Sequence, residues 1–319
     1  MNKMIRQLLP FVTLTLIICI LSAIKPDSFL TAENILNVLS RSSVYGIIGV
    51  GMTMVIISAG IDLSVGSMMA LCGMLGAYVM LFFGDPLTPG YGMFVGTLVG
   101  LLTGIFCGLL NGILITKLKL PPFIVTLGTM SAFRGISYVM NNGKPYDVPR
   151  YTLLGSGNLL SVPICVIIFA VIVALAVFVL RYTRLGRYTY AIGSNREAAF
   201  YAGINVDRNL TAVYTLTGLV VGIAAMIATS RTVSAQPTAG ISLELDIIAA
   251  VVIGGASLAG GRGTVTGTIV GTLLISFLRN GCTLIGISTN VQLIVIGAII
   301  IGAVALDQMA RSRTRSGAP

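Results

Sequence analysis

Apolar runs follow one another along nearly the whole chain, parted only by short polar breaks. A hydrocarbon layer of about 30 Å is crossed by about 20 helical residues, and the sequence divides on that length scale. Ten crossing helices are predicted, over 8–24, 44–59, 64–83, 91–116, 122–140, 162–180, 209–229, 245–259, 264–278 and 291–306. Two longer polar stretches, 141–161 and 230–244, interrupt the pattern. Both are too short to be domains, so capture of a solute outside the membrane would fall to another chain. The pattern predicts an all-α, polytopic membrane protein, with residues 1–319 as one transmembrane domain, a loop at 181–208 and a basic tail at 307–319. The first run follows Lys3 and Arg6 and has Ser22 and Ala23 near its end, as a signal peptide would. Further spans follow it, so it is expected to remain on the protein.

Composition agrees with lipid as the main solvent: 55% of residues are hydrophobic, 9% are charged, and the mean hydropathy is +0.97. A soluble domain carries about 25% charge. The net charge of +10 comes in short clusters between apolar runs, which argues for membrane orientation and against nucleic-acid binding. With the amino terminus inside, alternation assigns to the cytoplasm Lys3, Arg6, Lys117, Lys119, Arg181, Arg184, Arg187, Arg196, Arg208, Arg262 and the three tail arginines. Lys25, Arg41, Lys144, Arg150, Arg231 and Arg279 then fall outside, and Arg134 within a span. This bias predicts both termini in the cytoplasm of a bacterial inner membrane. The five cysteines all lie in apolar runs without a C-x-x-C pair, and there is no histidine, so neither a metal centre nor general-base chemistry is indicated.

Glycine is ordered as well as abundant. Gly92, Gly96, Gly100, Gly104, Gly108 and Gly112 recur at every fourth position, and Gly263, Gly267 and Gly271 repeat the spacing. Such a row lines one helix face and lets a neighbouring backbone approach, which is how helices pack in lipid; lining a pore is the other reading. Both glycine-stepped helices end in Asn-Gly, at Asn111 and Asn280, which hints at an inverted repeat.

Three polar segments carry candidate chemistry. In 60–67, Asp62, Ser64 and Ser67 stand among glycines between two apolar runs. They break a helix there and either cap the next helix or line a solute path. In 254–264, small residues surround Arg262, which either anchors at the surface or pairs with a carboxylate. In the 181–208 loop, Ser194 and Glu197 match a capping box, Ala198, Ala199 and Ala202 form a smooth face, and Gly203 suits a helix stop. With Asn195, these residues predict a short helix that sits in a groove of a cytoplasmic partner. There is no G-x-x-x-x-G-K-[ST] phosphate loop, so the chain binds no nucleotide that way and its energy must come from a partner.

The segments 28–36, 60–67, 121–135, 193–208, 234–237, 244–255 and 260–263 together resemble, in order, the ribose, galactose and xylose permeases of binding-protein-dependent ABC importers. The last span departs from that family, with Val291 and Ile296 where a Trp and a Lys are expected. The resemblance implies no cofactor on this chain and ATP hydrolysis by a cytoplasmic ATPase subunit. It also implies an extracytoplasmic sugar-binding protein, a second permease copy or paralogue, and 194–203 as the coupling helix. A permease for amino acids or nucleosides is the nearest alternative, and a stand-alone channel or facilitator the alternative of another class. Asp62 and Arg262 are nearly the only interior charges available to a zwitterion, whereas a sugar needs only hydroxyl, amide and backbone partners.

Overall fold

A computed structural model describes residues 3–84, 89–299 and 301–302. The predicted tail at 307–319 lies outside them, as does the end of the last predicted run. The chain folds as a helical bundle. Its first half contains α1 (Lys3–Ile24), α2 (Pro26–Phe29), α3 (Ala32–Ile57), α4 (Val65–Phe82), α5 (Pro89–Lys117) and α6 (Pro122–Val139). After a loop with β1 (Tyr146–Asp147), α7 (Leu153–Ser156), β2 (Asn158–Leu159) and β3 (Val162–Pro163) come α8 (Ile164–Tyr182), α9 (Arg184–Ser194) and α10 (Arg196–Tyr201). The last part contains α11 (Val206–Thr232), β4 (Ser234–Ala235), α12 (Leu243–Ile253), α13 (Val265–Leu284) and α14 (Thr289–Ile299). Among the described residues six helices, α3, α4, α5, α8, α11 and α13, are long and apolar enough to cross a membrane by length and composition.

Two differences from the sequence reading matter. The run at 44–59 belongs to a longer helix, because Thr31 caps α3 by accepting from the Asn34 backbone N–H, which starts the helix well before the apolar stretch. In the run at 245–259 the helix is α12, eleven residues long, which starts two positions before the run and stops six short of its end. At 1.5 Å per residue it spans about half the hydrocarbon layer. It stops at Gly254 and Gly255, the latter at φ +92°, and it starts after Ser242 at φ +62°.

The centre of the bundle is α5 wedged between α4 and α11. Cβ atoms added at Gly104 and Gly108 would run into the carbonyls of Gly218 and Tyr214 on α11, and one at Gly100 would lie 3.2 Å from the Cys72 carbonyl on α4. The second glycine row brings α13 onto α12, with Gly267 against the Gly254 carbonyl and Gly271 against that of Ala250. The polar stretches meet at one end, where β1 pairs antiparallel with β4, Tyr146 opposite Ala235 and Asp147 opposite Ser234. Between β4 and α12 the chain turns back into the bundle. There Nη1 of Arg134 donates to the carbonyls of Pro237 (2.5 Å) and Ala239 (2.7 Å), and Gly240 packs against Gly66 at the start of α4.

Candidate functional site

The break between α3 and α4 is built by short-range hydrogen bonds. Ser58 Oγ donates to the Val55 carbonyl, Ala59 takes a left-handed φ of +63°, and the Gly60 N–H returns to Val55. Gly60 has no room for a side chain, because a Cβ there would stand 2.6 Å from the Tyr214 hydroxyl. That hydroxyl donates to the Ile61 carbonyl at 3.3 Å.

Asp62 is fully buried just beyond the break. Its Oδ1 accepts from the backbone N–H and the hydroxyl of Ser64, at 2.9 and 2.6 Å, and Asn111 Nδ2 donates to the same hydroxyl at 2.8 Å. Ser67 Oγ donates to the Ser64 carbonyl. Asp62 thus organises the entry into α4, while Ser64, the residue at the cap position, makes no side-chain capping bond itself. Oδ2 of Asp62 and Oδ1 of Asn111 have no partner among the described residues. Asp62 lies outside the cavity between α3, α12 and α13 and outside the cavity between α4, α11 and the segment 234–240. Asn111 was met in the sequence only as half of an Asn-Gly pair. An amide in a glycine-stepped apolar helix needs a buried partner, and that requirement was the available signal for this cluster.

The 181–208 loop contains two helices, and their junction differs from the capping-box reading. Ser194 closes α9, and Asn195 caps α10 by accepting from the Ala198 N–H at 2.9 Å. Asn195 sits in extended backbone at φ −160°, which suits a cap, and asparagine is among the best residues there. Gly203 follows α10 at φ +80°. The alanine face is also divided. Ala199 is buried against Ile192, Val206 and Leu210, so it packs inward on its own chain. Glu197, Ala198 and Ala202 are exposed, and the outward surface of α10 is dominated by Phe200 and Tyr201, 66% and 85% exposed. Their rings meet edge to face at 5.8 Å.

Both helix breaks converge on this junction. Gly193 presses on the Ile57 carbonyl at the end of α3, where a Cβ would also come within 2.7 Å of the Gly261 nitrogen. The Gly261 N–H donates to that same Ile57 carbonyl at 2.8 Å. Gly260 lies against Ala59 and the Gly193 carbonyl, and both Gly260 (φ +82°) and Gly261 (φ +71°) use left-handed backbone. From α9, Tyr190 donates its hydroxyl to the Gly263 carbonyl at 2.7 Å, and burial raises its pKa, which keeps the donor protonated. Arg262 is exposed and has no ion-pair partner among the described residues, the geometry of an anchor. One node of backbone contacts therefore links the α9–α10 turn to the end of α3 and to the loop between α12 and α13. Gly193 was quoted in the sequence without a role, since nothing local to it marks a close approach to residue 57.

The family profile described as branched-chain amino acid transport system / permease component matches residues 34–304. A ribose import permease protein of Haemophilus influenzae is 43% identical over 308 residues, covering 93% of this chain and 91% of its own length. One from Bacillus subtilis is 44% identical over 311 residues, covering 96% and 94%. A D-allose transport system permease protein of Escherichia coli K12 is 38% identical over 305 residues, covering 94% and 90%. No solved structure matches the chain.

Proposed function

This chain belongs to the branched-chain amino acid transport system / permease component family, and from that membership we propose that it is the multi-pass permease subunit of an ATP-driven monosaccharide importer, ribose first among its substrates. The observation that carries the sugar reading is end-to-end similarity to permeases named for ribose and D-allose. The family description names branched-chain amino acids, which is the reason to keep that class as the second reading. Burial of Asp62 among Ser64 and Asn111, outside both cavities, argues against its use as the partner of a zwitterion's ammonium group. Asp62, Ser64 and Ser67 are proposed to fix the helix break and the entry into α4. The test of function is uptake of labelled ribose into vesicles holding this chain, its ATPase and its binding protein. ATP-dependent uptake is the expected result; ribose entry without ATP would favour a facilitator, and leucine entry in its place the amino-acid reading.

In this reading the ten apolar helices are ten crossings, both termini are cytoplasmic, and the α9–α10 end of the bundle faces the ATPase. A binding protein delivers the sugar at the other end, and a second permease copy completes the path. The ATPase subunit, and not this chain, hydrolyses ATP. Single cysteines at Lys144 and Glu197, in a background without the native five, should label from outside only at 144. Labelling at 197 alone would invert the topology.

Coupling runs through α10. Its exposed Phe200 and Tyr201 are of the aromatic type that anchors interfaces, while Ala199 holds the helix to its own chain. Tyr201→Glu should weaken co-purification of the ATPase by roughly thirtyfold, the loss of about 2 kcal/mol typical of an aromatic anchor. The amount of permease in the membrane should not change. Normal co-purification and uptake in this variant would make α10 a solvated connector.

A further inference from the structure

A cavity of about 210 Å³ lies between α3, α12, α13 and α14, at the end of the bundle opposite α10. Arg279, which lines it, stands five residues before the end of α13, or about 8 Å in from that end at 1.5 Å per residue. The cavity opens past Arg41, Thr283 and Thr289, all exposed.

Its lining combines two guanidinium groups with one carboxylate and several hydroxyl and amide groups. Asp246 is the carboxylate of the site, and both of its oxygens already accept from a single nitrogen, Nη2 of Arg279, at 2.9 and 2.7 Å. Nε of Arg279 is buried and has no partner among the described residues. The Thr272 hydroxyl is likewise unpartnered on a side chain only 2% exposed, and it faces the same cavity. Arg41 makes no ion pair among the described residues, and the Tyr45 hydroxyl lies in the combined field of Arg41, Arg231, Arg279 and Asp246. Arg41 and Arg279 thus line a cavity whose one carboxylate is already engaged by Arg279. A buried donor without an acceptor costs free energy, and an excess of positive charge near a lipid headgroup layer is relieved by an anion.

We propose that this cavity is a binding site for a phosphate-class oxyanion, held by Arg41, Nε of Arg279 and the Thr272 hydroxyl. A tetrahedral oxyanion offers several acceptors and no obligatory donor, the complement of these three groups, and arginine is the side chain best matched to it. The phosphate group comes either from a phospholipid whose headgroup enters past Arg41 or from a free anion, and two measurements separate these sources.

Native mass spectrometry of the full-length chain, purified in mild detergent, reads retained phospholipid. Equilibrium dialysis of the delipidated chain against labelled orthophosphate reads the free ion. Arg41 is exposed, and Thr272→Val keeps the shape of the side chain, so Arg41→Gln and Thr272→Val should both fold. If a headgroup occupies the site, one phospholipid per chain is retained and each variant lowers occupancy about tenfold, the loss expected for one hydrogen bond to a charged group. If the occupant is a free ion, the lipid signal is absent and orthophosphate binding falls by the same factor in both variants. Unchanged retention and binding in either variant, or no phosphate-bearing ligand in either measurement, overturns the proposal.

Discussion

Gly193→Val is expected to reduce ATP-driven uptake at least tenfold while leaving the chain in the membrane. The glycine is the point at which the α9–α10 turn rests on the end of α3, and its added Cβ would fall onto the Ile57 carbonyl. That carbonyl also receives the Gly261 N–H, so the intruding side chain loosens both the α3 contact and the loop leading into α13. Overpacking of this kind costs about 1–3 kcal/mol, and contact with a backbone carbonyl puts it at about 1.5–3 kcal/mol, a factor of roughly 10 to 150 in the population of the joined arrangement. The membrane-crossing helices do not include the altered residue, so the amount of folded chain should hold. ATP hydrolysis by the assembled complex should lose its response to sugar-loaded binding protein. Wild-type stimulation of hydrolysis in Gly193→Val would show that movement at α10 does not pass through this node.

Gly104→Leu should have the largest effect on folding. Even a Cβ at this position meets the Gly218 carbonyl, and the Gly222 nitrogen stands 3.0 Å from it, so α5 and α11 would have to separate along their length. Little in lipid drives them back together, because the contact depends on close backbone approach. A cost of about 3 kcal/mol or more follows. Membrane-extracted chain, measured by fluorescence-detected size exclusion, should fall to a small fraction of normal. Gly128→Ala is the matched control, since a Cβ on α6 at that position meets nothing within 4 Å, and its yield should equal that of the unaltered chain. Equal loss in both variants would mean that glycine content as such, and not the α5–α11 contact, limits folding.

These two positions also mark how far the sequence was legible. The glycine row of α5 could be read as a face because its four-residue spacing stays within one helix, and each run of apolar residues overlaps a helix for the same local reason. The direction in which Ala199 points was not legible. It depends on α10 folding back onto Ile192 and Leu210, which flank it on two other helices. The length of α12 was hidden as well, because 254–259 holds mostly small, uncharged residues that extend the run on composition alone, while glycine backbone at 254 and 255 ends the helix. Asp246 and Arg279 stand 33 positions apart, and only the antiparallel pairing of α12 with α13 brings them together. The capping residue of α10 was displaced by one position, since Ser194 and Asn195 are both good caps and α9, unseen in the sequence, claims the first.

The clasp that Arg134 makes on Pro237 and Ala239 has a bearing on the environment in which the subunit works. A guanidinium remains charged at any acidity a cell surface meets, and backbone carbonyls do not titrate. The two bonds that fasten the turn from β4 back to α12 therefore persist in acid, and with no histidine anywhere in the chain the usual acid-sensing side chain is missing too.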